Sequence, residues 1–153
     1  MIILGIDPGI KGGWATITDG DLDAWGRMPT LRVRSKIIVD AKELSEALYP
    51  GGDYGVIEIV GAFPHQGRSS CFSFGHATGS ATAVAMVACD KMEWVAPSVW
   101  KKHFGLGSDK RASLDLAKMK FGSAGPDWSV LANDGVAEAA LMARWFLDKR
   151  LIL

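Results

Sequence analysis

One strand-length segment constrains the fold more than any other. Residues 54–60 read Tyr-Gly-Val-Ile-Glu-Ile-Val, apolar almost throughout and without the in-and-out alternation of a half-exposed strand. Such a run belongs to a strand covered on both faces, which requires a sheet with helices on either side. The rest of the chain supplies its partners. Residues 2–6 form a short apolar run closing on Asp7-Pro8-Gly9, a turn signal, with Gly12 and Gly13 close behind. Residues 14–18 read as a second strand, Asp19-Gly20 as a tight hairpin turn, and residues 22–28 as a third strand pairing with the second. Three strands in quick succession imply an antiparallel meander. Residues 40–49 read as a helix, capped by Asp40 with Glu43 three positions on, and stopped by Pro50-Gly51-Gly52. The small residues throughout 73–89 (Gly75, Ala77, Gly79, Ala81, Ala83, Ala85, Ala88) suit a helix packed close to a neighbour. A short strand at 92–95, a turn of helix opened by Pro97, and a helix over 109–121 behind Ser108 or Asp109 follow. A loop at 122–126 and a last helix from Asn133 or Asp134 to about Lys149 complete the order. The expected architecture is α/β, with a mixed five-stranded sheet whose first three strands are antiparallel, flanked by helices.

A chain of 153 residues suffices for one ordinary domain, and no repeat, low-complexity tract or linker divides it, so residues 1–153 are read as one unit. No apolar run approaches the roughly 18 residues that span a bilayer. The opening apolar residues lack the basic leader of a secretory signal. Cys71 and Cys89 stand far apart without metal-type spacing and are expected to be buried free thiols of a reducing compartment, which points to the cytoplasm. Lys plus Arg number 17 and Asp plus Glu 17, a zero balance that argues against a uniformly basic nucleic-acid binder. The distribution is less even. Arg27, Arg32, Arg34 and Lys36 form one basic stretch without an acid, and Lys101, Lys102, His103, Lys110, Arg111, Lys118 and Lys120 a second, diluted by Asp109 and Asp115. Acids gathered into a cation-filled pocket would leave the outer surface effectively basic; otherwise both stretches are solvated faces of loops and helices.

Four acids stand out. Glu58 interrupts a strand that is otherwise Val, Ile, Ile, Val, and a carboxylate there is costly to bury unless it is paired or bound to a metal. An edge position or an arginine partner is the alternative. Asp7 closes the first apolar strand ahead of a glycine-rich run whose backbone can approach a phosphate or another strand closely; alone, it could simply begin a turn. Asp134 and Glu138, four apart, share one face of the last helix among small apolar residues, where like charges repel unless something neutralises them. Attraction to the helix N-terminus is the bland account. Together these hard oxygen donors suit Mg2+ or Mn2+, not zinc. Two such ions roughly 4 Å apart can activate water and stabilise a leaving oxygen in phosphodiester hydrolysis. The three histidines, His65, His76 and His103, lie outside any Ser-His-Asp or Cys-His pattern.

Four stretches resemble the RuvC family of Holliday junction resolvases: Ile-Leu-Gly-Ile-Asp7-Pro-Gly, the Val-Ile-Glu58 strand, Phe74-Gly-His-Ala-Thr-Gly, and Asp134-Gly-Val-Ala-Glu-Ala-Ala-Leu-Met-Ala. The stretch Val95-Ala-Pro-Ser-Val-Trp-Lys-Lys-His-Phe-Gly-Leu, with Asp109-Lys110 and Ser113 after it, is similar above all to the phage branch of that family. The resemblance implies a ribonuclease-H-like fold, a homodimer, and two symmetric incisions across a four-way DNA junction. It implies a metal-dependent active site at Asp7, Glu58 and the acids of the last helix, here Asp134 and Glu138. Lys110 matches a basic position that the family sets against the cleaved strand, as do Lys101 and Lys102 less closely, and Arg111 is grouped with these as DNA-contacting. Phe63 falls where the family often carries an aromatic wedge for the junction's open centre, and is otherwise a core residue anchoring a loop. Arg68, in the following loop, could bind phosphate or be solvated. The spacing departs from the family, whose bacterial members usually show two aspartates three apart where this chain has Gly135 in the nearer position.

The expected mechanism has Asp7 contacting two metal ions, Glu58 holding one and the last-helix acids the other, with Lys110 supporting charge on the phosphate. Three readings compete. A nuclease of the same fold could act on flaps or RNA/DNA hybrids. A non-catalytic DNA-binding member of the fold is a second, disfavoured by the four retained acids. A nucleotide-binding domain of the actin or sugar-kinase type opens similarly, but 153 residues leave no room for its second lobe.

Overall fold

A computed structural model describes residues 1–62 and 64–152. The chain opens with β1 (Ile2–Asp7), β2 (Gly13–Thr18) and β3 (Asp21–Arg27), paired antiparallel in sequence order. Asp19 and Gly20, at the turn between the last two, both have positive φ (53° and 105°), the left-handed backbone that an Asp-Gly hairpin accommodates. β4 (Thr30–Val33) and β5 (Lys36–Val39) then form a separate two-stranded ribbon. Helix α1 (Ala41–Ala47) follows, with the Asp40 side chain accepting from the backbone N–H groups of Lys42 and Glu43 as its cap. β6 (Gly52–Glu58) joins the free edge of β1 in parallel. Helix α2 (Arg68–Ala88) leads to β7 (Cys89–Val95), parallel to β6, then to α3 (Pro97–His103), α4 (Lys110–Phe121) and α5 (Asp134–Leu151). The main sheet runs β3-β2-β1-β6-β7.

The expected five-stranded mixed sheet therefore forms, with four differences in detail. The β4–β5 ribbon was not anticipated. β6 ends at Glu58 instead of continuing to residue 60, so the acid closes the strand and does not interrupt it. Only the Ile59 N–H continues the ladder, donating to the Val95 carbonyl at 2.8 Å. α2 begins at Arg68, ahead of the expected residue 73, and β7 at Cys89, ahead of residue 92. Of the two free cysteines, Cys89 is buried as expected and Cys71 only half-buried. Among the described residues no helix is long and apolar enough to cross a membrane.

Strand periodicity divides the core into two layers. Ile3, Ile17, Val56 and Val95 pack with Leu114, Val136, Leu141 and Met142 from α4 and α5 on one face. Leu4, Ile6 and Ile57 pack with Ala77, Ala81 and Ala85 of α2, and with Leu44 of α1, on the other. The sheet is covered on both faces, as the unalternating β6 sequence requires. α5 lies against the sheet backbone: a Cβ at Gly5 would run into the carbonyl oxygen of Ala139.

Candidate active site

The positions of Asp7 and Glu58 follow from strand register. β1 and β6 are parallel neighbours whose last paired residues are Ile6 and Ile57. Asp7 and Glu58 come next on each strand. Asp7 shares its side of the sheet with Ile3 and Gly5, and Glu58 shares its side with Val56, so both face the α5 layer.

α5 contributes the remaining acids because its start is held against the β1–β2 turn. Gly12 and Gly135 form a backbone bridge, and a Cβ at residue 135 would lie 2.5 Å from the Gly12 carbonyl carbon. Residue 135 therefore cannot carry a carboxylate without displacing that backbone. The chain places its acid one residue earlier, at Asp134, with Glu138 one turn further along the same face.

The electrostatics show the crowding. Burial pushes the Asp7 carboxyl up to about 7; Glu138 and Glu58 push it the same way, Asp134 adds a smaller effect, and the Gly9 N–H opposes them. Burial also raises Glu58. Against that, the indole N–H of fully buried Trp100 donates to Glu58 Oε2 at 2.9 Å, while Glu138 raises Glu58 and Lys101 lowers it. Lys101 Nζ reaches Glu138 Oε1 at 2.9 Å and lies 5.1 Å from the Trp100 ring centroid. Lys110 pairs with Asp134, and that hydrogen bond is the main cause of the upward shift of its ammonium.

The donor chemistry fits a hard divalent ion: the pocket offers carboxylate oxygens, and ammonium groups already act as cations on two of them. With both α5 acids turned to lysines, no three His, Cys, Asp or Glu side chains among the described residues are grouped to hold one ion. Burial and the neighbouring acids push Asp7 up to about 7, and a bound cation would offset both by favouring its ionised form.

The other sequence candidates are dispersed. Lys102 and Arg111 are exposed on α3 and α4, and an Arg111 Nη donates to the Ser129 carbonyl at 2.9 Å. Arg68 is the exposed first residue of α2 and not part of a loop. Phe63 lies outside the described residues. Sequence reasoning missed Trp100. A buried indole needs an acceptor, but only the β6–β7 pairing, with Glu58 opposite Val95, shows that the helix after β7 brings residue 100 over that acid.

No protein-family model matches the chain, and no curated protein matches it either. Solved structures do. RuvC of T. thermophilus in complex with a Holliday junction substrate superimposes with a TM-score of 0.59 at 15% identity, covering 99% of this chain and 96% of that one. A second structure, of Thermus thermophilus RuvC, gives a TM-score of 0.57 at 19% identity, covering 98% and 97%. The chain thus has the ribonuclease-H-like fold of those proteins over essentially its whole length. The likeness to phage members rests on sequence motifs alone.

Proposed function

We propose that this chain is a divalent-metal-dependent endonuclease that resolves four-way and other branched DNA junctions by paired phosphodiester hydrolysis. The observation that carries the reading is that Asp7 and Glu58 end adjacent parallel strands on the side of the sheet covered by α5, whose first two turns carry Asp134 and Glu138. A structural neighbour, solved with a Holliday junction substrate, supports the choice of DNA.

Asp7, Glu58, Asp134 and Glu138 would hold Mg2+, or Mn2+ in its place, with two ions per site. When bound, the ions supply an activated water and a sink for charge on the leaving oxygen. Trp100 keeps the Glu58 carboxylate oriented through its indole N–H. Lys110 and Lys101 neutralise the α5 acids and can pass their ammonium groups to an incoming phosphate, where Lys110 offsets developing negative charge. Lys102, Arg111 and Arg68 add exposed phosphate contacts, and Phe63 is assigned to stack on bases at the junction centre. Two symmetric incisions need two copies of the site, hence a homodimer. Two free cysteines suit a reducing cytoplasm.

The test is a cleavage assay with Mg2+ or Mn2+ on a synthetic four-way junction beside linear duplex, flap and RNA/DNA hybrid. Cutting should be paired and confined to branched DNA, and Asp7→Asn should lower its rate by about 1000-fold or more while junction binding persists. Near wild-type cutting by that variant, or cutting of the hybrid alone, refutes the assignment.

A further inference from the structure

A groove of about 670 Å³ opens beside Asp134 and Lys110 and runs past Arg27 and Lys11. Asp134 is the single acid among its lining residues, and Lys110 already neutralises it. Among the described residues no carboxylate pairs with Lys11 or Arg27, although both are exposed. Arg27 is nevertheless held in place. Its Nε donates to Asn133 Oδ1 at 2.8 Å, and Asn133, 5% exposed, is itself fixed by donating from Nδ2 to the Asp127 carbonyl at 2.8 Å. A guanidinium tied at Nε keeps its two terminal nitrogens as a preset fork, the geometry that grips a phosphate through two parallel hydrogen bonds. Ile10 and Leu131, 39% and 51% exposed, add apolar surface to the same groove. That combination suits a sugar–phosphate strand better than a small free anion, which has no apolar part.

We infer that this groove seats a backbone phosphate adjacent to the one that is cut, with Arg27 as its bidentate ligand, Lys11 as a second cation and Asn133 as the residue that positions Arg27. The inference rests on the nuclease reading above and adds the path of the strand out of the acid pocket. It assigns binding roles to three residues outside that pocket, so its failure is separable from that of the nuclease reading.

The experiment measures binding of the full chain to a fluorescent four-way junction, without divalent ions, over a salt series. Arg27→Ala should weaken binding about tenfold, the worth of one charge-assisted contact, and flatten the plot of log K against log salt by about 0.9, the share of one phosphate. Lys11→Ala should do the same to a smaller extent. Arg27→Lys should keep the wild-type slope yet bind severalfold more weakly, because it retains the charge and loses the fork. Wild-type affinity and slope in Arg27→Ala, with its melting temperature unchanged, overturn the inference and leave the nuclease reading standing. Wild-type affinity in Arg27→Lys overturns the bidentate assignment. A wild-type chain that binds no junction at all overturns both.

Discussion

The two longest helices are both rich in small residues, and they use them differently. In α5, Gly135, Ala137, Ala139, Ala140 and Ala143 are all buried, and the helix lies so close to the sheet that β1 can carry only glycine at position 5 beneath it. In α2 only Ala77, Ala81 and Ala85 are buried, one per turn along a single stripe. The opposite stripe, at seven-residue spacing, carries Phe72, Gly79 and Met86, with Phe72 66% and Met86 54% exposed. Small residues on α5 bring acids against a strand end with little freedom to move. On α2 they leave the opposite face apolar and exposed. Composition alone does not distinguish these two uses; the packing on each side of the sheet does.

The largest expected effect comes from forcing α5 off the sheet. Gly5→Ala should destabilise the chain by at least about 3 kcal/mol in denaturant unfolding, and wild-type stability would mean the close packing is not needed. Next is the cost that packing places on the charged form of Asp7. Its folded pKa of about 7 is raised above the unfolded value, so its favourable contribution is complete below about pH 4 and lost as pH rises through 7. Without divalent ions, Asp7→Asn should therefore be more stable than wild type at pH 8, by about 4 kcal/mol at most, and equal to it near pH 4. Excess Mg2+ should reverse the order at pH 8; equal curves throughout would deny the crowding. If the homodimer proposed above meets through the exposed Phe72 and Met86 of α2, Phe72→Ser with Met86→Ser should shift the sedimenting species from dimer to monomer and change unfolding of the dilute chain by less than about 1 kcal/mol. Unchanged sedimentation would show that this face is not the contact. The smallest effect is expected from Gly79→Ala, which meets nothing within 4 Å and should stabilise the dilute chain by about 0.5–1 kcal/mol through helix propensity.

Much of the sheet was legible because its signals are local. Asp19-Gly20 names its own turn, the apolar run at 54–60 declares two covered faces, and Asp40 and Asp109 cap the helices they precede. The β4–β5 ribbon was not legible because its two-residue turn puts Arg34 at φ 55°, where glycine or asparagine is the usual sign, and its strands carry Arg32 and Lys36. The end of β6 was overrun because Ile59 and Val60 continue the apolar pattern although Ile59 is 51% exposed. Of the candidate site, the acids could be named from residue type and spacing. Their partners could not: Trp100, Lys101 and Asn133 reach Glu58, Glu138 and Arg27 across 42, 37 and 106 positions of sequence, distances over which pattern carries no information.

β1 is the strand at which the sheet changes direction, antiparallel to β2 on one side and parallel to β6 on the other. Beyond Asp7 the chain doubles straight back, while beyond Glu58 it departs toward the far layer to begin α2. Two paths that diverge from adjacent strand ends leave a cleft that neither can fill. The place of these acids is thus written into the tracing of the backbone, so surrounding loops can lengthen or change composition while the two strand ends stay side by side.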